Sequence, residues 1–475
     1  MKRIVTPSAL FLSALLLVAG GAAAQSAGSA DFSRYVAVGD SLTHGFASGG
    51  VVGTVQVNSY PALIAQQTGA PDFQQPLISE PGIPPLLALV SLVPGPVISP
   101  RSASPGAPTN LNLPRPYNNL GVSGFRVHDV VATVTGNPLI DTVLRGQGTA
   151  LQQAAALRPT FVTVFIGNND VLAAATSGRV IEGVTLTPLA QFQADYRTII
   201  STLRGVGANV AVGTVPGVTA IPFVTTIPPV VVDPVTREPV RINGQLVPLI
   251  GPNGPLSLAD RVLLTASSLL AQGVGVPAAL GGHGNLPDDV VLSAAEVAAI
   301  EARRAQYNAV IRQAATDFGA AVASIDEAFA NAAANGIGVG GGIEYTTDFL
   351  TGGLFSYDGV HPTPLGYAVL ANFFIGAINA RFNASIPDVD LFPFVFGPDG
   401  SGGATVPVTG SGSFVFTAAA ESSFRFWMRI PTKQQLDEAE RRRRPDPGVG
   451  SRPAAPGGPR VDPAAPRPRR PARGR

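Results

Sequence analysis

Short apolar runs alternate with stretches of helical spacing along most of this chain. Tyr35-Val36-Ala37-Val38 is a buried-strand pattern that runs straight into Gly39-Asp40-Ser41. Phe161-Val162-Thr163-Val164-Phe165-Ile166 is β-branched and aromatic without a break, which suits a central parallel strand covered on both faces. Ser59-Tyr60-Pro61 opens a predicted helix through Ala65, with Gly69 as its stop. Leu189, Phe192, Tyr196, Ile199, Ile200 and Leu203 recur at helical spacing, and Gly205 ends that element. A strand is predicted over 209–215, a long helix over 294–318 closed by Gly319, and a further strand over 320–325. Thr363-Pro364 is a helix start, with Thr as N-cap and Pro at the first helical position. The apolar face of that helix runs through Leu370, Phe373, Phe374 and Ile378.

Strand–helix alternation predicts an α/β fold in which helices sandwich a parallel sheet. In such sheets ligands sit beyond the carboxyl ends of the strands, which directs attention to the residues there. Those are Gly39-Asp40-Ser41, Asn118 to Gly124, Gly167-Asn168-Asn169-Asp170 and the segment entered after Ile325. Two insertions, 78–116 and 218–290, interrupt the alternation. Loops this long are functional or disordered in most compact domains. Their apolar residues read equally as packing onto the body or as a cover over a substrate cleft. Residues 384–430 read as a β-rich extension, because Val395-Phe396, Ser413-Phe414-Val415-Phe416 and Phe424-Arg425-Phe426-Trp427 alternate around Gly-rich turns.

Composition narrows the chemistry. The 475 residues include 54 Gly and 44 Pro, so long loops are expected around an apolar core. The absence of Cys excludes disulfides, a thiol nucleophile, Cys-ligated zinc, iron–sulfur clusters and lipoprotein acylation. Only His44, His128, His283 and His361 offer an imidazole. The net charge of +1 hides an uneven distribution: residues 441–475 hold 11 Arg and two Asp, so +9, and the remainder carries −8. A mildly acidic body with a basic tail is not the pattern of a nucleic-acid-binding domain.

Lys2 and Arg3, the apolar run from Ala9 to Val18 and Ala22-Ala23-Ala24 form a signal-peptide pattern over 1–24, which predicts a secreted or periplasmic protein. The main folded domain is expected over 25–383. Residues 431–475 read as a disordered Pro/Arg-rich tail, first as a solvated end and second as an electrostatic attachment to an anionic surface.

Ser41 follows a buried strand, so its hydroxyl is expected at the exposed sheet edge, where it needs a base to become a nucleophile. His361 stands three residues after Asp358, close enough for the carboxylate to reach Nδ1 and leave Nε2 facing the serine. The oxyanion of an attacked ester needs donors already aimed at it. Candidates are the backbone N–H of Ser41, the backbone N–H of Gly124 and the side-chain amide of Asn169. His44 reads as an exposed loop residue, His128 lacks a partner pattern and His283 sits in a Gly-rich loop. No H-x-x-x-H spacing points to a metal, no Gly-x-Ser-x-Gly elbow surrounds Ser41 or Ser123, and no nucleotide-binding glycine fingerprint follows a strand.

Taken together, Gly39-Asp40-Ser41-Leu42, Asn119-Leu120-Gly121-Val122-Ser123-Gly124, Gly167-Asn168-Asn169-Asp170 and Asp358-Gly359-Val360-His361 resemble the four blocks of the SGNH hydrolase superfamily, also called GDSL esterases and lipases. The resemblance implies a flavodoxin-like three-layer α/β/α fold with five parallel strands. It implies Ser41 as nucleophile, His361 as general base and acid, Asp358 as its orienting partner, and Ser41, Gly124 and Asn169 as the oxyanion hole. Asn168 departs from the small residue of many relatives. The expected function is an exported serine ester hydrolase, carboxylesterase- or lipase-like, using an acyl-serine and neither metal nor cofactor. The partner expected is a small-molecule or lipid ester, and the apolar insertions tilt the choice towards acyl chains. The alternatives are a carbohydrate O-acetylesterase or a non-catalytic surface-binding protein on the same fold.

Overall fold

The computed structural model describes residues 26–92, 95–339, 342–396 and 414–443. The predicted signal peptide and residues 444–475 of the predicted tail lie outside them. Five parallel strands form the central sheet: β1 (Tyr35–Gly39), β2 (Asn119–Gly121), β3 (Phe161–Phe165), β4 (Asn209–Gly213) and β5 (Ala321–Ala323), in the order β5-β4-β3-β1-β2. In register, Tyr35 pairs with Phe161, Ala37 with both Asn119 and Thr163, and Val212 with Val164.

Each strand is apolar on both faces because both are covered. The helices that matter here are α1 (Ser41–His44), α2 (Tyr60–Thr68), α3 (Val127–Ala132), α4 (Ala150–Ala156), α5 (Asn169–Ser177), α6 (Leu189–Gly205), α7 (Ala294–Phe318) and α8 (Pro364–Phe382). Val36, Val38, Val162, Val164, Val210 and Val212 pack under α3, α4, α6 and α7. Tyr35, Ala37, Phe161, Phe165 and Ala211 face the other way, onto α2 and α8. Thr163, the polar exception on that side, is satisfied by the Tyr35 hydroxyl at 2.8 Å. The expected three-layer α/β/α architecture is therefore present. Its helix ends follow sequence signals: Ser293 and Glu296 form a capping box for α7, Gly319 closes it with φ +67, and the Thr363 hydroxyl accepts from the Gly366 N–H at the start of α8.

Four elements differ from expectation. The strand predicted over 209–215 ends at Gly213. The strand predicted over 320–325 contracts to Ala321–Ala323, because Ile325 already begins a helix whose first turn carries Asp326 and Glu327, acids that suit a helix N-terminus. In the extension over 384–430, of which residues 397–413 lie outside the described residues, helix outweighs the expected strand. Among the described residues Phe392–Phe396 is a helical turn, only Val415–Phe416 is a strand, and Ala418–Trp427 is a helix, α9. The reason is periodicity. Ala420, Phe424 and Met428 are buried at a spacing of four while Phe426 is 60% exposed, a helical stripe that a strand would have split between two faces. The Thr417 hydroxyl accepts from the Ala420 N–H, and Glu421 pairs with Arg425 across one turn. Lys433–Arg443 forms a further helix, α10, where the tail was expected to be disordered already. Its i,i+4 pairs Lys433–Asp437 and Glu438–Arg442 support it, and buried Leu436 docks it.

The insertions divide their apolar residues. In 78–116, Leu87–Ser91 pairs antiparallel with Val97–Pro100, and Val415–Phe416 adds a parallel third strand on the far edge of Val97–Pro100. In 218–290, Ile227, Val231, Leu249, Val262, Leu286 and Val291 build a small core of their own, while Phe223, Leu263 and Leu264 join the main one.

Candidate active site

Gly39 ends β1 where a side chain would collide with the Thr43 hydroxyl and the Phe165 carbonyl, so the chain can turn sharply into Ser41. Asp40 caps α1 through Oδ1, which accepts from the Leu42 N–H at 3.0 Å. Its Oδ2 accepts from the Asn168 amide at 2.8 Å, which ties the serine turn to the end of β3. Burial pushes Asp40 up to about 6.

The loop before α8 brings the imidazole to that turn. His361 Nε2 lies 2.8 Å from Ser41 Oγ, and His361 Nδ1 lies 2.9 Å from Asp358 Oδ2. The loop can bend this tightly because Gly359 sits at φ +68, where a side chain would crowd the Phe223 backbone; its carbonyl accepts from the Phe223 N–H at 2.8 Å. Asp358 is fully buried, and its carboxylate accepts from the backbone N–H groups of Val360, His361 and Gly49 at 2.8–2.9 Å and from the Ser356 hydroxyl at 3.3 Å. Burial alone would raise its pKa. The facing His361 and these hydrogen bonds outweigh that and hold it below the usual carboxylate value.

Gly124 lies past β2 at φ +78, on a loop tied to α5 by the Asn169 amide, which donates to the Phe125 carbonyl at 2.9 Å. That commits one of the two Asn169 N–H groups to the loop. Gly124 and Asn169 open together into a cavity of about 360 Å³ whose other walls include Arg126, Asp129, Gln191 and Arg429. An apolar cavity of about 110 Å³ lies on the other side of the histidine loop, against Leu42, Val360 and Pro362. The structure thus brings Ser41, His361 and Asp358 into one hydrogen-bonded line and sets Gly124 and Asn169 beside one another on the adjoining loops.

His44 is a correction. It is buried rather than exposed, since α1 folds it beneath β2, where its Nδ1 lies 3.1 Å from Ser123 Oγ and burial pushes it down to about 3. His128 does have a partner, Asp195 at 2.9 Å. Among the described residues no group of His, Asp and Glu is arranged to hold a metal ion. Sequence reasoning missed two donors under Asp358: Gly49, which lies 309 positions away, and Ser356, which stands only two residues before it. It also missed the Asn168–Asp40 bridge and the segment from Phe424 to Ile430. For that segment the signal was available, in the helical spacing of Ala420, Phe424 and Met428.

Ser41 is 3% exposed and His361 is 1% exposed, with the Phe46 ring 4.6 Å from the His361 ring and α9 packed on its other neighbours. The Phe424 ring meets the His361 ring edge-on at 6.5 Å and stacks on Phe223 at 5.5 Å. The Trp427 carbonyl and the Arg429 side chain approach Gly124 so closely that a β-carbon there would lie 3.2 Å from each.

No curated protein matches the chain. Among solved structures it is similar to an α/β hydrolase from the metagenome of Lake Arreo, Spain, with 15% identity, a TM-score of 0.34, and coverage of 73% of this chain and 95% of the other. An acetylxylan esterase of Geobacillus stearothermophilus, as a catalytic mutant, shares 14% identity over 73% of this chain and 94% of its own, with a TM-score of 0.34. A lipase/acylhydrolase of Enterococcus faecalis shares 13% identity over 75% and 100%, with a TM-score of 0.30. The family described as GDSL-like lipase/acylhydrolase matches residues 35–374, a span that begins at β1 and ends inside α8 and so takes in all four sequence blocks. This chain belongs to the GDSL-like lipase/acylhydrolase family, the ester-hydrolysing serine enzymes.

Proposed function

We propose that the chain is an exported hydrolase that cleaves acyl esters through an acyl-serine intermediate formed on Ser41. His361 Nε2 takes the Ser41 proton as Oγ attacks the ester carbonyl. Asp358 holds the ring so that Nδ1–H points at the carboxylate, and it stabilises the imidazolium that forms. The negative oxygen of the tetrahedral adduct is met by the N–H groups of Ser41 and Gly124 and by the remaining Asn169 amide hydrogen. His361 then delivers its proton to the departing alcohol. Water then attacks the acyl carbon as the same nitrogen takes its proton, and that proton passes to Ser41 Oγ as the carbon–oxygen bond breaks and the acid leaves. The observation that carries the reading is the continuous contact from Asp358 through His361 to Ser41, at 2.9 and 2.8 Å. Export rests on the charged start, apolar run and small-residue site of residues 1–24.

Labelling by a fluorophosphonate probe tests the core of this reading, because only an activated serine reacts. The wild type is expected to be labelled at Ser41, and His361→Ala to lose labelling while its circular dichroism is retained. Labelling that survives in Ser41→Ala, or an unlabelled wild type, overturns the assignment and favours a surface-binding protein on the same fold. Signal-sequence cleavage is tested by the N-terminus of the exported chain, which is expected at Gln25.

A further inference from the structure

We propose that Arg429, carried by a segment beyond the family-matched residues, is a specificity-determining residue that selects esters of hydroxyl-rich alcohols such as acetylated oligosaccharides. This rests on the reading of Ser41 as nucleophile and goes on to assign the alcohol side of the same site.

Two cavities border the loops that carry the site, one against Val360 and Pro362 and one against Gly124 and Asn169, and they differ in chemistry. The one against Leu42, Val360 and Pro362 is walled by apolar side chains and measures about 110 Å³, below the roughly 150 Å³ that admits benzene. The one into which Gly124 and Asn169 open is about 360 Å³ and presents Arg126, Asp129, Thr187, Gln191 and Arg429. A mixed set of donors and acceptors is what a polyol needs, since each buried hydroxyl must find a partner, whereas an alkyl chain there would strand them.

Arg429 is built into this wall. Its backbone is left-handed at φ +58, a conformation unfavourable for a residue with a side chain, and the buried neighbours Met428 and Ile430 pin it there. That geometry lays the arginine stem over Gly124 and places Nη1 2.8 Å from Asp129 Oδ2. The guanidinium sits 6.0 Å from the centre of the Phe125 ring, on the loop that presents Gly124. A guanidinium has five N–H donors in a fixed fork, so one edge can hold Asp129 while another meets ligand oxygens. Asp129 in turn supplies the acceptor that a sugar hydroxyl can donate to.

Steady-state kinetics of the full-length protein on partially acetylated xylo-oligosaccharide and on p-nitrophenyl acetate tests the proposal. Arg429→Ala is expected to raise KM for the oligosaccharide by about 10–100-fold with kcat little changed, the effect of one lost charge-assisted contact. The nitrophenyl ester carries no hydroxyl for the guanidinium fork to meet, so its KM should change by less than about threefold. Arg429→Lys keeps the stem and charge but loses the fork, so it should fall between, and it carries the test if the alanine variant does not fold. Equal losses on both esters, or unchanged oligosaccharide kinetics in a protein still labelled by fluorophosphonate, overturn the Arg429 assignment alone. An unlabelled wild type overturns the nucleophile assignment beneath it.

Discussion

The histidine loop and the C-terminal segment meet where the His361 and Phe424 rings touch but are held in opposite ways. Asp358 is buried, and three backbone N–H groups and one hydroxyl fix its carboxylate. Arg429 is exposed, and its guanidinium is fixed by one ion pair to Asp129 and by the stem that crosses Gly124. Backbone donors cannot be moved by a single substitution, whereas an exposed arginine can be replaced without disturbing the strands. Proton transfer fails when atoms shift by a fraction of an ångström, so that geometry is made from main chain. Choice of substrate tolerates variation and is made from side chains on an added segment.

The sharpest way to break this contrast is Asp358→Asn. It leaves shape and hydrogen-bond length nearly intact but reverses the polarity at Nδ1, and kcat on p-nitrophenyl acetate is expected to fall about 10⁴-fold. A loss under about tenfold would show that the carboxylate is not needed to orient His361. The C-terminal segment is added, but it is not loosely attached. Phe424 is buried in the main core against Phe223, so Phe424→Ala should cost about 3–5 kcal/mol in a urea titration. A cost below about 1 kcal/mol would make α9 a detachable flap instead. Asn169→Ala is expected to lower kcat by about 10²–10³ with KM little changed. An unaltered rate would confine the amide to tying the Phe125 loop.

The last effect is read in pH and belongs to the scaffold on which both regions rest. Burial pushes Asp170, next to Asn169, up to about 7, with the Val127 N–H as one partner. A carboxyl whose folded value is raised adds stability that is fully present below its unfolded value near 3.8 and is lost as pH rises through about 7. Stability should therefore decline between about pH 4 and pH 7, and Asp170→Asn should flatten that decline in melting experiments. An identical decline in the variant would assign it elsewhere, for instance to Asp40, which is raised to about 6.

Legibility in the sequence follows the range of the interaction concerned. The fold was readable where each element satisfies itself: β1 and β3 as unbroken apolar runs, α7 between a capping box and a glycine, α8 from Thr363-Pro364. Asp358 and His361 were readable because three residues suffice to bring them together. α9 was misread as strand because Phe424-Arg425-Phe426-Trp427 alternates locally, while its burial is set by Ala420 and Met428 four residues to either side. His44 looked like a loop residue because nothing near it in the chain shows that β2 lies on top of it.

By itself the sequence determined which groups could do chemistry and which strand ends would carry them, since composition left four imidazoles and periodicity left few edges. Only the tertiary structure decided that Gly49 cradles Asp358, that Asn168 bridges to Asp40, and that a segment past residue 413 sets Phe424 against His361. The physical reason is that these contacts join residues tens to hundreds of positions apart. Their energies depend on distance in space, which a one-dimensional pattern records only when the partners are neighbours along the chain.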